Sequence, residues 1–159
     1  MSGHEKVPML QSGFEALEKE LKQLKYVERQ EIVKAIEVAR AHGDLSENAE
    51  YHAAKEQQGL TEARIKELEG SISASEVIDP TQHFGNRVLF GATVTVVDED
   101  DKKFIYQIVG RFEADINNNR ISNSSPLGRA LISRQIGDDV EVHTPKGKKY
   151  YEIQKIDFI

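Results

Sequence analysis

The sequence predicts an α plus α+β chain: an N-terminal antiparallel coiled-coil hairpin followed by a small antiparallel-sheet domain with one helix. Three observations carry this expectation. From Ser12 to about Val77 there is no proline, and the strong helix formers Ala, Leu, Glu, Lys and Gln dominate. From Val88 onward the chain turns to Val, Ile, Thr, Phe and Tyr in short alternating runs broken by Gly, Asn, Asp and Pro. The change falls near Asp79-Pro80-Thr81-Gln82-His83, which sets a hairpin over 1–78, a linker over 79–84 and a sheet domain over 85–159.

The hairpin opens with Ser12-Gly13-Phe14-Glu15, spaced as a capping box in which serine and glutamate satisfy each other's backbone donors. Phe14, Leu17, Leu21, Leu24, Ile32, Ile36 and Ala39 then form an apolar seam. His42-Gly43-Asp44 reads as a stop and a restart: glycine suits the left-handed position past a helix end, and aspartate suits the next N-cap. The second arm carries Ala49, Ala53, Leu60, Ile65, Leu68 and Ile72. A reversal at Gly43 and Asp44 sets Leu17 against Ile72, Leu21 against Leu68, Leu24 against Ile65, Ile36 against Ala53 and Ala39 against Ala49. The seam is bulky at the base and alanine-rich at the turn, so the hairpin tapers toward a tip at 43–47. Arms of roughly 30 residues span on the order of 45 Å.

In the second half, strands are expected over Val88–Val97, Phe104–Val109, Val140–Val142 and Tyr150–Phe158. Thr144-Pro145-Lys146-Gly147-Lys148 reads as a hairpin turn. Ser125 to Ile132 reads as a short helix with serine as cap and Pro126 at its first position. Apolar residues change phase between Ile153 and Ile156, which predicts a bulge.

Composition narrows the function classes. There is no cysteine, so disulfides are excluded, and no apolar run reaches the roughly 18 residues of a membrane span. The N-terminus MSGHEKVPML lacks a signal-peptide pattern, and the cytoplasm is the expected location. The formal net charge of −6 sits mainly in the first half, with ten basic against fifteen acidic side chains in 1–77 and eleven against twelve in 78–159. That distribution disfavours a duplex-binding surface and sequence-specific DNA recognition, and leaves contact with RNA open.

The run ARAHGDLSENAEYHAAKEQQG concentrates the chemistry. Asp44 and Glu47 have the spacing of a second capping box. The same spacing brings two carboxylates together at the end of a rod, as a divalent-metal pair. Magnesium takes oxygen ligands and often only one or two protein carboxylates. Two acids on a thin tip bind it weakly and lack the enclosed cavity of metal catalysis, so the rest of such a site would belong to another molecule. His42 and His52 lack the spacing of a zinc motif. Tyr51, one turn beyond Glu47, suits packing at the tip or stacking on a base. Arg40 and Lys55 form either a small basic spot for a phosphate backbone or ordinary ion pairs with Glu37 and Glu56.

The segments SGFEALEKELKQLK, HGDLSENAEYHAAKEQQG, FGATVTVV, YQIVG, EAD and ISNSSPLGRALIS resemble, in this order, the Gre family of bacterial transcript cleavage factors. The mixed charge of KEQQGLTEARIKELEG resembles the GreA type rather than the more basic GreB type, and the two tip acids of DLSEN resemble an activator rather than the related inhibitors. The resemblance implies a coiled-coil hairpin and an FKBP-like C-terminal domain. It implies as partners bacterial RNA polymerase, at its secondary channel and rim, and the nascent RNA 3′ end. Asp44 and Glu47 match the acids that help hold the second Mg2+ in the polymerase active site during cleavage of backtracked RNA, with Tyr51 in support. No metal is expected on the free protein, and no complete active site of its own. Arg40 and Lys55 match the RNA-contacting basic patch, and Ser125, Pro126 and Leu127 match the segment set against the polymerase rim. The alternatives are a polymerase-channel inhibitor, a coiled-coil adaptor, or an FKBP-like prolyl isomerase. The isomerase is disfavoured by the absence of Trp and by Phe90, Phe104, Tyr106 and Phe158 reading as core.

Overall fold

Gln11 to Arg40 form a continuous helical run that widens in the middle: α1 (Gln11–Gln23), a π-turn (Leu24–Glu28) and α2 (Arg29–Arg40). The Arg29 N–H donates to the Leu24 carbonyl, five residues back, so the turn holds one residue more than an α-helix would. The sequence contains the reason. Counting Phe14, Leu17, Leu21, Leu24, Glu28, Ile32, Ile36 and Ala39 as the inward face, the steps run three, four, three, four, four, four and three, so Leu24 to Ile32 spans eight residues where an even seam would have seven. A straight α-helix would let that stripe drift off the seam. The π-turn absorbs the surplus residue. The computed structural model describes residues 5–43 and 48–159.

The second arm, α3 (Ala49–Ser73), keeps strict three-four spacing on its inward face: Tyr51, Ala54, Gln58, Thr61, Ile65, Leu68 and Ile72. Leu68 is fully buried and Thr61 is 3% exposed, whereas Leu60 is 61% exposed. Ala49, Ala53 and Leu60, expected in the seam, therefore lie outside it. The register set by Ile65 and Leu68 runs through polar Thr61 and Gln58, and helix geometry overrides the preference for apolar letters. Cross-arm ion pairs confirm antiparallel pairing: Glu20 accepts from Arg64 at 2.8 and 2.9 Å, Glu62 from Arg29 at 2.8 Å twice, and Glu69 from Lys25 at 3.2 Å. All are partly exposed, and such pairs favour register more than stability.

α1 begins at Gln11, which puts Ser12 inside its first turn instead of at the expected N-cap. The helices belong to one compact unit, Phe14–Ala74; the other joins the N-terminal segment through Gly13 to Ser75–Ile159. In that second unit β1 (Val7–Met9) pairs in parallel with β2 (Ser75–Val77), and the Ile78 N–H donates to the Met9 carbonyl at 2.8 Å. The structure thus divides the chain elsewhere than the expected 1–78 and 85–159. The expected linker contains a 3₁₀ turn at Pro80–Gln82, capped by Asp79.

The main sheet has five strands in the order β5 (Arg120–Ser122), β4 (Lys103–Val109), β3 (Thr93–Asp98), β7 (Gly147–Asp157), β6 (Asp139–Thr144). It is mixed and not wholly antiparallel as expected, because β5 runs parallel to β4. The expected strand over Val88–Val97 is shorter at its start: Gly91 has a φ of +87° and breaks the run. A side chain at Gly91 would meet Pro80 at 2.7 Å. Between β3 and β7 the register jumps from Thr95–Lys155 to Val96–Ile153, leaving Gln154 as the extra residue of the predicted bulge. The Pro145-Lys146 turn forms as expected, with Gly147 at a φ of +122°. One face of the sheet packs Val94, Val96, Ile108, Val140 and Ile153 under α4 (Pro126–Leu131), whose Leu131 is fully buried. Phe104, Tyr106 and Phe158 pack partly buried against this core, as expected.

Candidate functional sites

The first arm stops as the sequence predicts. The His42 and Gly43 N–H groups donate to the Ala39 and Arg40 carbonyls, and Gly43 takes a φ of +108°. Asp44 and Glu47 lie outside the described residues, in the connection between α2 and α3. The N-cap of α3 is described, and it is not Asp44. Asn48 holds that position in an extended conformation, its side-chain oxygen accepting from the Tyr51 N–H at 3.0 Å. Its amide nitrogen donates to the Ala39 carbonyl at 2.6 Å, tying the two arms together beside the turn. The N-cap of α3 expected at Asp44 is thus Asn48. Tyr51, lacking the glutamate of a capping box, gave no signal in favour of Asn48.

Tyr51 is half-buried on the inward face, its ring 5.6 Å from that of His52. Arg40 is exposed and forms no ion pair among the described residues; Lys55 donates to Gln58 at 3.1 Å and forms none either. Neutralisation by Glu37 and Glu56 does not occur there. His42 approaches Glu50 at 3.8 Å with both side chains mostly in solvent, and no group of three or more metal-ligating side chains occurs among the described residues.

On the sheet unit, Ser125 caps α4. Its hydroxyl accepts from the Gly128 N–H at 3.1 Å and donates to the Ser122 carbonyl at 2.6 Å. Pro126 is exposed and Leu127 half-buried. Together they wall a cleft of about 460 Å³ with Tyr106, Ile116 and Tyr151, and Lys146 and Lys149 at its margin. The Ser125 hydroxyl serves the helix while the next two side chains line the cleft.

A helical hairpin and a mixed-sheet unit in one chain define a class of two-part proteins. The family models described as "Transcription elongation factor, N-terminal" and "Transcription elongation factor, GreA/GreB, C-term" match residues 7–77 and 82–158. The chain belongs to the GreA/GreB family of transcription elongation factors. It is 60% identical to Transcription elongation factor GreA of Sphingopyxis alaskensis and 57% identical to that of Zymomonas mobilis, in each case over 159 residues and all of both chains. Among solved structures, GreA factor homolog 1 of Thermus thermophilus is similar at 27% identity, covering 96% of this chain and 99% of that chain with a TM-score of 0.44. No helix among the described residues is long and apolar enough to cross a membrane.

Proposed function

We propose that this elongation factor binds bacterial RNA polymerase, inserts its hairpin tip through the secondary channel and stimulates the polymerase's own cleavage of backtracked RNA, rescuing arrested complexes. The observation that carries this reading is the acid pair Asp44 and Glu47 between two helix arms, with the N-cap supplied independently by Asn48. Carboxylate oxygens suit Mg2+, a hard cation that accepts one or two protein acids and fills its remaining positions from water and phosphate. Held between factor and polymerase, that ion would stabilise charge on the attacking and leaving oxygens. This chain contributes the two acids and Tyr51, four residues after Glu47 in the sequence; Arg40 and Lys55, without an ion pair among the described residues, suit the phosphates of the extruded RNA. The cleft-facing Ser125, Pro126 and Leu127 suit a contact with the polymerase rim. The factor supplies part of a site and depends on the polymerase for the rest.

The test is a backtracked elongation complex with labelled RNA, comparing the wild type with the Asp44→Asn, Glu47→Gln double variant. The expected outcome is short 3′ fragments with the wild type and, with the variant, retained polymerase binding and no stimulation. Equal cleavage by both proteins overturns the role given to the acids. A second comparison separates docking from chemistry: Leu127→Asp weakens binding to polymerase by tenfold or more, on the order of a disrupted interface anchor, and cleavage recovers at higher factor concentration.

A further inference from the structure

Glu113, in the loop after β4, is a buried carboxylate with its side chain 2% exposed. Its two oxygens lie 3.1 and 3.0 Å from the Leu10 nitrogen, whose N–H they accept, and one of them also takes the Gly110 N–H at 3.2 Å. The Arg120 guanidinium stands 4.0 Å away. Leu10 immediately precedes α1, so the carboxylate occupies the place that a capping-box glutamate would fill from three residues ahead, but it comes from 103 residues away. A negative group there also meets the positive end of the helix dipole. Space has been left for it: a Cβ on Gly13, in the first turn, would lie 2.5 Å from the Glu113 side chain.

We propose that Glu113 is the latch of the N-terminal segment: its carboxylate holds residues 7–13 onto the sheet unit, and losing that acceptor releases the segment while the five-stranded sheet stays folded. The segment's other attachments are a short strand pairing and two apolar side chains, none of which takes up the Leu10 N–H. β1 contributes a three-residue pairing with β2 and the buried side chains of Met9 and Leu10. Two-stranded pairs of that length are marginal alone. Burial pushes the Glu113 carboxyl upward, and the two N–H groups and Arg120 pull it back. Burial outweighs these donors, so the carboxyl stays above its ordinary range.

Amide hydrogen exchange on the full chain tests this, read at Leu10 and at Val94 and Ile153 in the sheet core. Glu113→Ala is expected to speed exchange at Leu10 by roughly 10- to 100-fold, the scale of a lost bond to a charged acceptor, with the core amides unchanged. Glu113→Gln, which keeps a neutral acceptor, falls between. Gly13→Ala, which displaces the carboxylate without removing it, speeds Leu10 exchange in the wild-type background and adds nothing to Glu113→Ala. That non-additivity is the signature of a shared contact. Unchanged Leu10 exchange in Glu113→Ala, an equal acceleration at Leu10 and the core, or additive effects of the two substitutions would each overturn the latch.

Discussion

Asn48 uses both ends of its amide, and the two ends are separable. Asn48→Asp keeps the acceptor for Tyr51 but removes the donor to the Ala39 carbonyl, whereas Asn48→Ala removes both. The alanine variant is expected to lose about 1 kcal/mol from the cap and a further fraction from the cross-arm bond, with the aspartate between it and wild type in urea denaturation. Asp44 and Glu47 remain in all three proteins. At Glu20 the Arg64 guanidinium, through its hydrogen bonds, holds the carboxyl below its ordinary range. A carboxylate depressed on folding contributes stability above its unfolded value, and that contribution is lost as pH falls through the folded value. Wild type should therefore lose its advantage over Glu20→Gln below about pH 4, by under about 1 kcal/mol because both side chains are partly exposed. Paired urea titrations at pH 7 and pH 3 measure it.

At the level of elements, the hairpin, the α4 helix and the bulge at Gln154 were legible because each follows from local spacing or a named residue. The tip-proximal seam was not. Thr61 and Gln58 occupy it, and polar letters on an inward face carry no hydropathy signal. The register distinction is measurable: Leu68→Ala should cost about 3 kcal/mol as a buried truncation, while Leu60→Ala should stay within about 0.5 kcal/mol as a surface change. The parallel attachment of β5 was also illegible, because a three-residue strand has too little pattern to declare a direction. EAD was legible as a segment of the resemblance, but nothing local to Glu113 announces a partner 103 residues away. Whether the acid pair binds metal was left open in the sequence. Asn48 resolves a narrower point, that α3 begins without Asp44 as its cap.

At the scale of the whole chain, the sheet unit is discontinuous, since its N-terminal strand is separated from the rest by the entire hairpin. A fragment spanning 75–159 retains all five strands of the main sheet but lacks β1, Met9 and Leu10. It should fold and melt several degrees below a version in which residues 5–13 are joined to Ser75 by a flexible linker, since Met9 and Leu10 together bury two apolar side chains worth roughly 1.5–3 kcal/mol each. Calorimetry on the two fragments decides it; equal melting temperatures would show that the segment adds no stability to the unit.

The π-turn carries a consequence for the length of the protein. A helix with one surplus residue can lose one. Removing a residue from Leu24–Glu28 would shorten the span from Leu24 to Ile32 from eight residues to seven, and with Arg29 in the inward place of Glu28 the steps of the first arm would alternate between three and four, the rhythm α3 already keeps. The same excision from α2 or α3 would rotate everything beyond it off the seam by about 100°. The first arm thus contains one site tolerant of deletion, and a scan of single-residue deletions along 14–40 should find its folded survivors clustered around Tyr26.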